Sequence, residues 1–449
     1  MAAAPVAPRL VVIGGGFAGL WATRALARAP LAITLVDRAN HHLVQPLLYQ
    51  VATAALSAPD IAAPLRHILR GQANVAVLMG EAIVIDLAAR QVGLADGTRL
   101  AFDYLLVASG ATHAYFGQAQ WAAFAPGLKT LDDALLIRRR VLSAFERAEA
   151  AATPAEQQAW LHFAVVGGGP TGVELAGSLA EIARHTLVTE FRHIDPRRAQ
   201  VRLIEAGPAL LASFPPALRE KTRAQLQRLG VEVVCGTPVA DITAHGYFLG
   251  QAFVPCHTVL WAAGVAASPL GALLASQSGV ELDRVGRVKV APDLSLPGCA
   301  QVFVAGDLAA VRWTNFQSEA QSAGQTVPGV APAAKQMGAH VARAIQAQLA
   351  GRSVPAFAYK DYGNLATIGR MAAVVDLRGW QFSGPLAWWF WLLAHVFFLI
   401  GFRNRFSVLV NWAWSYVTYQ RSARIVLGAG AGTQAAAGLK VPGSEEQRG

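Results

Sequence analysis

One pattern of apolar and polar positions occurs twice along the chain. Residues 9–13 and 162–166 are short, mainly apolar runs, and each leads into G-x-G-x-x-G followed by an Ala- and Leu-rich stretch. This order predicts a strand, a tight turn and a helix, which is the context in which these glycines bind a dinucleotide. Because the two copies lie about 150 residues apart, the sequence predicts two such sites.

The three glycines of each copy have different physical tasks. The first makes the turn, the second lets backbone N–H groups approach a pyrophosphate, and the third lets the helix pack on the strand. The N-terminus of the helix then faces the anion. A glycine-rich turn without a ligand is the structural alternative at either copy. The residues predicted to line these turns are Gly14, Gly16, Phe17, Ala18 and Gly19 in the first copy, and Gly167, Gly169, Pro170, Thr171 and Gly172 in the second.

An acidic residue follows each copy at the end of a second apolar run, where it can bind ribose hydroxyls. Asp37 lies 23 residues after Gly14, and Glu205 lies 38 residues after Gly167. The longer second spacing is explained by a polar insert at residues 185–198. A carboxylate at Glu205 would repel a 2′-phosphate, so the sequence favours NADH over NADPH.

The remaining apolar runs predict how the two units are connected. Residues 74–107 are expected to form a β-meander with a turn at Asp96-Gly97. Further strands end on Gly110, on Gly264 and on Gly306-Asp307. We therefore predict an α/β fold of two Rossmann-type dinucleotide-binding domains, the second inserted in the first, followed by a C-terminal helical module that associates with a membrane. The predicted boundaries are 8–120 and 290–378 for the first domain, 121–289 for the inserted domain, 379–428 for the C-terminal helices and 429–449 for a disordered tail.

The C-terminal region is unusually apolar and aromatic. Residues 386–402 would span about 25 Å as a helix, less than the roughly 30 Å of a hydrocarbon core. Residues 406–425 place Ser407, Asn411, Ser415, Thr418 and Ser422 on one polar stripe, and six of the eleven tryptophans lie between positions 380 and 414. We predict two helices lying in the membrane interface. A single short transmembrane span and a dimer interface are the alternatives.

Composition and charge narrow the class of protein. Hydrophobic residues make up 54% of the 449 residues, charged residues make up 15%, and the formal charge is +10. Disorder is excluded, and the basic balance suits anionic lipid or anionic cofactors. The chain has no Lys/Arg-rich run, which disfavours nucleic acid as a partner. Cys235, Cys256 and Cys299 stand alone, and adjacent His41 and His42 have no third ligand nearby, so neither a disulfide framework nor a metal site is predicted. We expect no signal peptide and a protein body in the cytoplasm.

Four segments carry a resemblance to a known family: residues 40–53, residues 167–177 with Glu174, residues 330–336, and residues 359–369. Together with the Gly306-Asp307 strand they resemble the two-dinucleotide flavoprotein reductases, and more narrowly the type II NADH dehydrogenases. These are single-subunit, non-pumping NADH:quinone oxidoreductases. The resemblance implies FAD in the first domain, NADH in the inserted domain, and Asp307 beside the flavin side chain.

This resemblance extends the predicted cofactor contacts and suggests catalytic residues. It implies that Glu174 positions the nicotinamide or a proton, and that Gln336 contacts the flavin ring or the quinone. The simpler alternatives are that Glu174 complements the helix N-terminus and that Gln336 is a helix-capping amide. Pro332 stands where the family often has a first Gln, which weakens any quinone role at that position. The full predicted FAD set is Gly14, Gly16, Phe17, Ala18, Gly19, Asp37, Arg38, Ala82, Gly110, Asp307 and Gln336, and the NADH set is Gly167, Gly169, Pro170, Thr171, Gly172, Glu174, Glu205 and Gly264.

The function that the resemblance implies is FAD-dependent NADH oxidation with two-electron reduction of a membrane quinone, without proton pumping, feeding a respiratory chain. The expected partners are a membrane quinone and an anionic bilayer surface at the cytoplasmic face of the inner membrane, with a homodimer left open. One alternative is a soluble reductase of a small electron-carrier protein, and another is a redox-sensing protein with structural FAD. A disulfide reductase is disfavoured, because the stretch after Asp37 holds no cysteine. Sulfide:quinone oxidoreduction also needs cysteines beside the flavin and is disfavoured, because Cys235 and Cys299 are expected to lie far from it.

Overall fold

The computed structural model describes residues 7–312, 326–377, 379–398, 402–418, 421 and 423–426. In chain order its α-helices are Phe17–Ala25, Leu48–Ala52, Ala58–Ile61, Leu65–Leu69, Leu131–Glu149, Pro154–Trp160, Pro170–Glu181, Pro216–Arg228, Leu270–Ser278, Ala331–Leu349, Pro385–Phe398 and Phe402–Thr418. Short 3₁₀ turns cover Gln45–Leu47, Ala119–Ala123, Pro196–Arg198 and Gly306–Leu308, and a π-helical turn covers Ile182–Thr186.

The first nucleotide-binding unit is built on a six-stranded sheet. Its neighbouring strands, in spatial order, are Ser295–Leu296, Cys299–Val304, Tyr104–Val107, Arg9–Ile13, Ala32–Asp37 and Val75–Met79. All pairings are parallel except the first. The helix Phe17–Ala25 contacts the strands Arg9–Ile13 and Ala32–Asp37, and the central strands are almost continuously apolar and buried, as is typical of parallel sheets.

The second unit is a four-stranded parallel sheet. Its spatial order is Val231–Cys235, Gln200–Glu205, His162–Val166 and Thr258–Trp261. An antiparallel sheet follows it, formed by Val239–Thr243, Gly246–Leu249 and Ala252–Pro255. Since the six-stranded sheet takes strands from both sides of this unit along the chain, the predicted fold class, with one domain inserted in the other, is confirmed. The domain boundaries at particular residues stay predictions.

The expected meander over residues 74–107 is wrong at both ends. Only Ala82–Asp86, Gln91–Leu94 and Arg99–Ala101 form an antiparallel sheet of their own. Val75–Met79 and Tyr104–Val107 instead join the parallel sheet. An apolar run indicates that a segment is a strand, but it does not indicate which sheet the strand joins. The short pairs His41–Leu43 with Ala62–Pro64, Ala111–His113 with Val265–Ala267, and Val288–Lys289 with Ala309–Ala310 complete this part of the chain.

A further three-stranded sheet connects the second unit to the C-terminal helices. It comprises Asn364–Gly369, Ala372–Leu377 and Trp380–Ser383, all antiparallel. Its first strand packs against the helix Pro170–Glu181 at Gly177, where an added Cβ would lie 1.7 Å from the Ile368 carbonyl oxygen. Only glycine allows this contact, which places the C-terminal part of the chain directly against the second nucleotide helix.

The two C-terminal helices have apolar side chains both on the side that faces the protein and on the exposed side. Val408 and Trp412 are buried against the body of the protein, whereas Leu393, Phe406 and Trp414 are exposed. Of the predicted polar stripe, Asn411 donates to Asp60 at 3.2 Å, while the side chains of Ser415, Thr418 and Ser422 lie outside the described residues. So does the predicted tail 429–449. Within the ranges described, no helix has the length and hydropathy needed to cross a membrane.

Candidate cofactor site

The carboxyl ends of both parallel sheets open into one cavity of about 1610 Å³, which we call the cofactor cavity. Sheets of this kind bind ligands at that edge. The structure brings together the following predicted residues at its wall: Gly14, Gly16, Phe17, Ala18, Asp37, Arg38, Gly110, Asp307, Pro170, Thr171, Glu174 and Gly264. The cavity therefore joins the two predicted nucleotide sites.

The glycine turns have the shape that a pyrophosphate requires. At Gly16 and at Gly169 an added Cβ would meet no atom within 4 Å, so each second glycine faces open space. At Gly19 and Gly172 a Cβ would instead lie 1.9 Å and 1.8 Å from the carbonyl oxygen of the first glycine of the same turn. The third glycines are thus needed for folding, and the second leave room for a ligand at a helix N-terminus.

The first glycine of each turn has a backbone conformation that other residues adopt only with strain. Gly14 has φ +103° and Gly167 has φ +113°. Each lies where the chain leaves a strand and turns into the helix. The repeated pattern thus encodes two equivalent turns, which explains why it could be recognised from the sequence.

The two acidic residues after the turns are held by backbone N–H groups. Asp37 accepts from Gly15 at 2.6 Å and from Ala39 at 2.7 Å. Glu205 accepts from Gly168 at 2.6 Å and from Gly207 at 2.6 Å. Both carboxylates are therefore fixed beside a glycine turn, where ribose hydroxyls are bound in folds of this kind. Asp37 also lines the cofactor cavity.

Glu174 lies one turn into the second nucleotide helix and faces the cofactor cavity. Burial raises the pKa of its carboxyl well above the usual value, and a Thr367 backbone N–H opposes this only in part. Burial therefore favours the protonated, neutral form of this carboxyl. Tyr49 lies close enough for the two groups to interact electrostatically, and burial raises the pKa of its phenol as well.

Gln336 is placed differently from the expectation. Its half-buried side chain donates to the Lys360 carbonyl oxygen at 2.9 Å and accepts from the Lys360 N–H at 2.9 Å. Gln336 itself does not line the cavity. The segment that it contacts continues into Asp361 and Tyr362, and both of these residues line the cavity. A direct contact with flavin or quinone stays a prediction, and the contact shown is one that positions a loop.

Six further residues of the predicted cofactor sets do not line the cavity. Gly19, Gly167, Gly169 and Gly172 belong to the turns themselves, and Glu205 lies behind the second turn. Ala82 begins the separate antiparallel sheet. Their cofactor contacts stay predictions.

The sequence patterns did not predict several residues that line the cavity. Tyr49 and Lys129 line the cofactor cavity, and His395 reaches it from the first C-terminal helix. Tyr49 lies within residues 40–53, a segment quoted for its family resemblance without a role for each residue. Nothing local to Lys129 or His395 signals a site, because their positions depend on long-range packing.

No cysteine occurs among the residues that line the described cavity. Cys256 is buried and donates to the His162 carbonyl oxygen, and Cys299 begins a strand of the first sheet. Cys235 is paired with Glu205 in the second sheet. A sulfur-based redox step at the cavity is therefore not supported by this arrangement.

Family models cover most of the chain. A pyridine nucleotide-disulphide oxidoreductase model matches residues 8–338. An NDH2 C-terminal domain model matches residues 362–419. The second match begins just before the strand Asn364–Gly369.

Curated relatives match over nearly the full length. The chain is 45% identical over 425 residues to the type II NADH:quinone oxidoreductase Ndh of Mycobacterium tuberculosis, covering 92% of this chain and 89% of that protein. It is 29% identical to the demethylphylloquinone reductase NdbB of Synechocystis, and this match covers 90% of this chain and 95% of that protein.

Solved structures share the fold at low sequence identity. NDH2 from Plasmodium falciparum in complex with NADH gives a TM-score of 0.82 at 19% identity, covering 94% of this chain and 100% of that one. The sulfide:quinone oxidoreductase of Aquifex aeolicus gives 0.69 at 18% identity, covering 89% and 92%.

Proposed function

Since the chain belongs to the pyridine nucleotide-disulphide oxidoreductases, and among them to the type II NADH:quinone oxidoreductases, we propose that it oxidises NADH and reduces a membrane quinone with FAD as its resident cofactor. The observation that carries this proposal is the single cofactor cavity, into which both glycine turns open. Two dinucleotides bound there can bring their reactive rings together.

FAD supplies the redox chemistry when bound, because its ring system accepts a hydride from NADH and passes two electrons to a quinone. We assign FAD to the turn at Gly14–Gly19 with Asp37 and Asp307, and NADH to the turn at Gly167–Gly172 with Glu205. The protein binds each pyrophosphate at a helix N-terminus and holds each ribose by a fixed carboxylate. Glu174 keeps a proton in the wall of the cavity between the two units.

We propose that the protein attaches peripherally to the cytoplasmic membrane face through its C-terminal helices, without pumping protons. The support is an exposed apolar surface on these helices, which we call the C-terminal apolar face, and a net charge of +10. Such a surface enters the interface of an anionic bilayer. Its exposed members are Leu386, Trp389, Phe390, Leu393, Phe397, Phe406, Leu409, Val410 and Trp414. A homodimer stays a prediction.

The proposed reaction is tested by flavin absorbance under anaerobic conditions, with purified protein in detergent. NADH is added first and a short-chain quinone second. We expect rapid bleaching by NADH and recolouring by the quinone. Bleaching without recolouring would indicate a protein acceptor, and an absence of bleaching would indicate a structural flavin. Either result would contradict the proposal.

A further inference from the structure

A second, smaller cavity of about 90 Å³ lies beside the cofactor cavity, and we call it the side chamber. Two residues, Tyr49 and Glu174, line both spaces. They are therefore the wall between the chamber and the cofactor cavity within the described part of the chain. Both are almost fully buried, with 5% and 9% of their surface exposed.

The side chamber is lined by both polar and apolar side chains, and its polar lining residues differ in burial. At its inner end lie Tyr49, Gln50 and Glu174, all buried. At its outer end lie Ser178, Glu181, Thr186 and Arg370, all only half-buried. A space needs about 10–15 Å³ to hold one water molecule, so the chamber has room for several. Water inside it would find hydroxyl, carboxylate and guanidinium groups among the lining side chains.

An unpartnered donor in the chamber wall also indicates water. Trp391 is 2% exposed and lines the chamber, and its indole N–H makes no hydrogen bond with any described residue. A buried donor without a partner costs about 1–3 kcal/mol, and a bound water removes that cost. The wall is therefore suited to ordered water.

A chain of hydrogen bonds sets the direction of the Tyr49 hydroxyl. The Trp412 indole N–H, on the second C-terminal helix, donates to the Gln50 side-chain oxygen at 2.7 Å. The Gln50 amide nitrogen then donates to the Tyr49 oxygen at 2.9 Å. Because the Tyr49 oxygen accepts from Gln50, its own O–H is not used in this chain of hydrogen bonds, and Glu174 lines the same chamber.

We propose that the side chamber is the route by which the proton consumed in quinone reduction reaches the cofactor cavity, that the Tyr49 hydroxyl passes this proton to Glu174, and that Trp412 positions this hydroxyl through Gln50. This inference rests on the proposed function. It goes beyond it by naming a route, a transferring group and a positioning residue.

The proton balance of the reaction requires such a route. NADH supplies two electrons and one proton as a hydride, and the quinol carries two more hydrogens than the quinone, so one proton per turnover comes from solvent. When Glu174 releases its proton, one carboxyl O–H bond breaks and one O–H bond forms on a quinone oxygen. Tyr49 then gives its proton to the carboxylate and takes one from chamber water, which restores both groups.

The decisive experiment measures proton access without turnover. The oxidised, FAD-loaded full-length protein is transferred to D₂O, and the infrared band of the protonated Glu174 carboxyl is followed as hydrogen is replaced by deuterium. Subtraction of the Glu174→Gln spectrum assigns this band. We expect Tyr49→Phe to slow the exchange by about tenfold or more, since a positioned proton-transferring group contributes at least this much.

A matched control uses another buried tyrosine. Tyr247→Phe removes a hydroxyl that accepts from Arg202 at 2.9 Å in the inserted domain, outside both cavities. We expect wild-type exchange in this variant. Unchanged exchange in Tyr49→Phe would overturn the role of Tyr49.

Trp412→Phe tests the positioning step even if Tyr49→Phe folds poorly. It keeps the aromatic packing and removes the indole N–H, so we expect slower exchange, although less so than in Tyr49→Phe. Exchange at the wild-type rate would overturn the role of Trp412. The wild-type absorbance assay is read separately: if NADH and quinone fail to cycle the flavin, the proposed function fails, whatever the exchange rates are.

Discussion

Glu205 repeats in the inserted unit the position that Asp37 has in the first. Each carboxylate accepts the N–H of the residue after the first glycine of its turn, Gly15 or Gly168, at 2.6 Å, and a second N–H two residues beyond itself. The two units therefore share the geometry of the turn and its carboxylate, and the choice between FAD and NADH must come from other residues around each turn.

Glu205→Gln should weaken NADH binding and leave FAD binding intact. An amide keeps the size of the side chain but loses the charge that strengthens both hydrogen bonds and the ribose contact. We expect the KM for NADH to rise by roughly tenfold, a loss of about 1.4 kcal/mol. Asp37→Asn is the matched control and should lower FAD content instead. Loss of FAD in both variants would contradict the assignment.

Glu205 is also expected to set the preference against NADPH. Glu205→Ala, combined with an added arginine nearby, should relax this bias, because a repelling carboxylate is replaced by a group that attracts a 2′-phosphate. The ratio of kcat/KM for the two cofactors measures the change. Equal use of both cofactors by the wild-type protein would show that Glu205 does not discriminate.

The second and third glycines of each turn should respond differently to a methyl group. Gly16→Ala and Gly169→Ala should fold normally but lose FAD content and NADH affinity, respectively, because their Cβ atoms occupy ligand space. Gly19→Ala should fail to fold, since its Cβ would lie 1.9 Å from a backbone oxygen. Circular dichroism and flavin absorbance separate these outcomes. Gly71→Ala, in open space outside the turns, is the control.

Glu181→Gln should loosen the attachment of the C-terminal segment. Arg421 is 7% exposed, pairs with Glu181 at 3.2 Å and donates to the Thr53 carbonyl oxygen at 2.7 Å. Removing one partner leaves a buried charge, at a cost on the order of 3 kcal/mol. Native-state hydrogen exchange of the C-terminal helices should report this loss. Asp195→Asn breaks an exposed pair with Arg197 and should change nothing measurable.

Acid should destabilise the protein through three buried histidines. Burial lowers the pKa of His42, His162 and His395 to about 4, against 6.5 for an exposed histidine. Above pH 6.5 both states are neutral at these sites. Between pH 6.5 and about 4 the unfolded chain binds protons that the folded chain does not, so stability falls as pH falls, by up to about 1.4 kcal/mol per pH unit for each histidine.

Denaturation as a function of pH checks this dependence. His162→Asn keeps a donor for the Pro255 carbonyl oxygen, which His162 contacts at 3.1 Å. The free energy of unfolding of this variant should fall less steeply as pH falls, because unfolding takes up about one proton fewer per molecule. The same slope in both proteins would show that His162 does not contribute to acid unfolding.

Charges on the C-terminal apolar face should abolish membrane attachment and spare the reaction with NADH. Trp389 and Leu393 are 53% and 65% exposed, so the double change to glutamate should be tolerated by the fold. Cosedimentation with anionic vesicles should be lost, because the charges oppose insertion. Val84→Glu, at an exposed apolar position of the antiparallel sheet, is the control. Undiminished vesicle binding would place the attachment site elsewhere.

The sequence determined the two nucleotide turns because their rules are local. A glycine with positive φ, a glycine without space for Cβ, and a carboxylate at a strand end can all be recognised from neighbouring residues. Asp37, Glu205 and Gly306-Asp307 were found in this way, and the structure places each of them at a turn or at the cavity edge.

The tertiary structure alone decided how the remaining residues meet. Trp412 and Gln50 are 362 positions apart, and Arg421 and Glu181 are 240 apart, so no local pattern connects them. The wall formed by Tyr49 and Glu174 likewise depends on packing of one domain's helix against the other. Local sequence sets backbone conformation, but contacts between distant segments arise only when helices and sheets bury their apolar faces together.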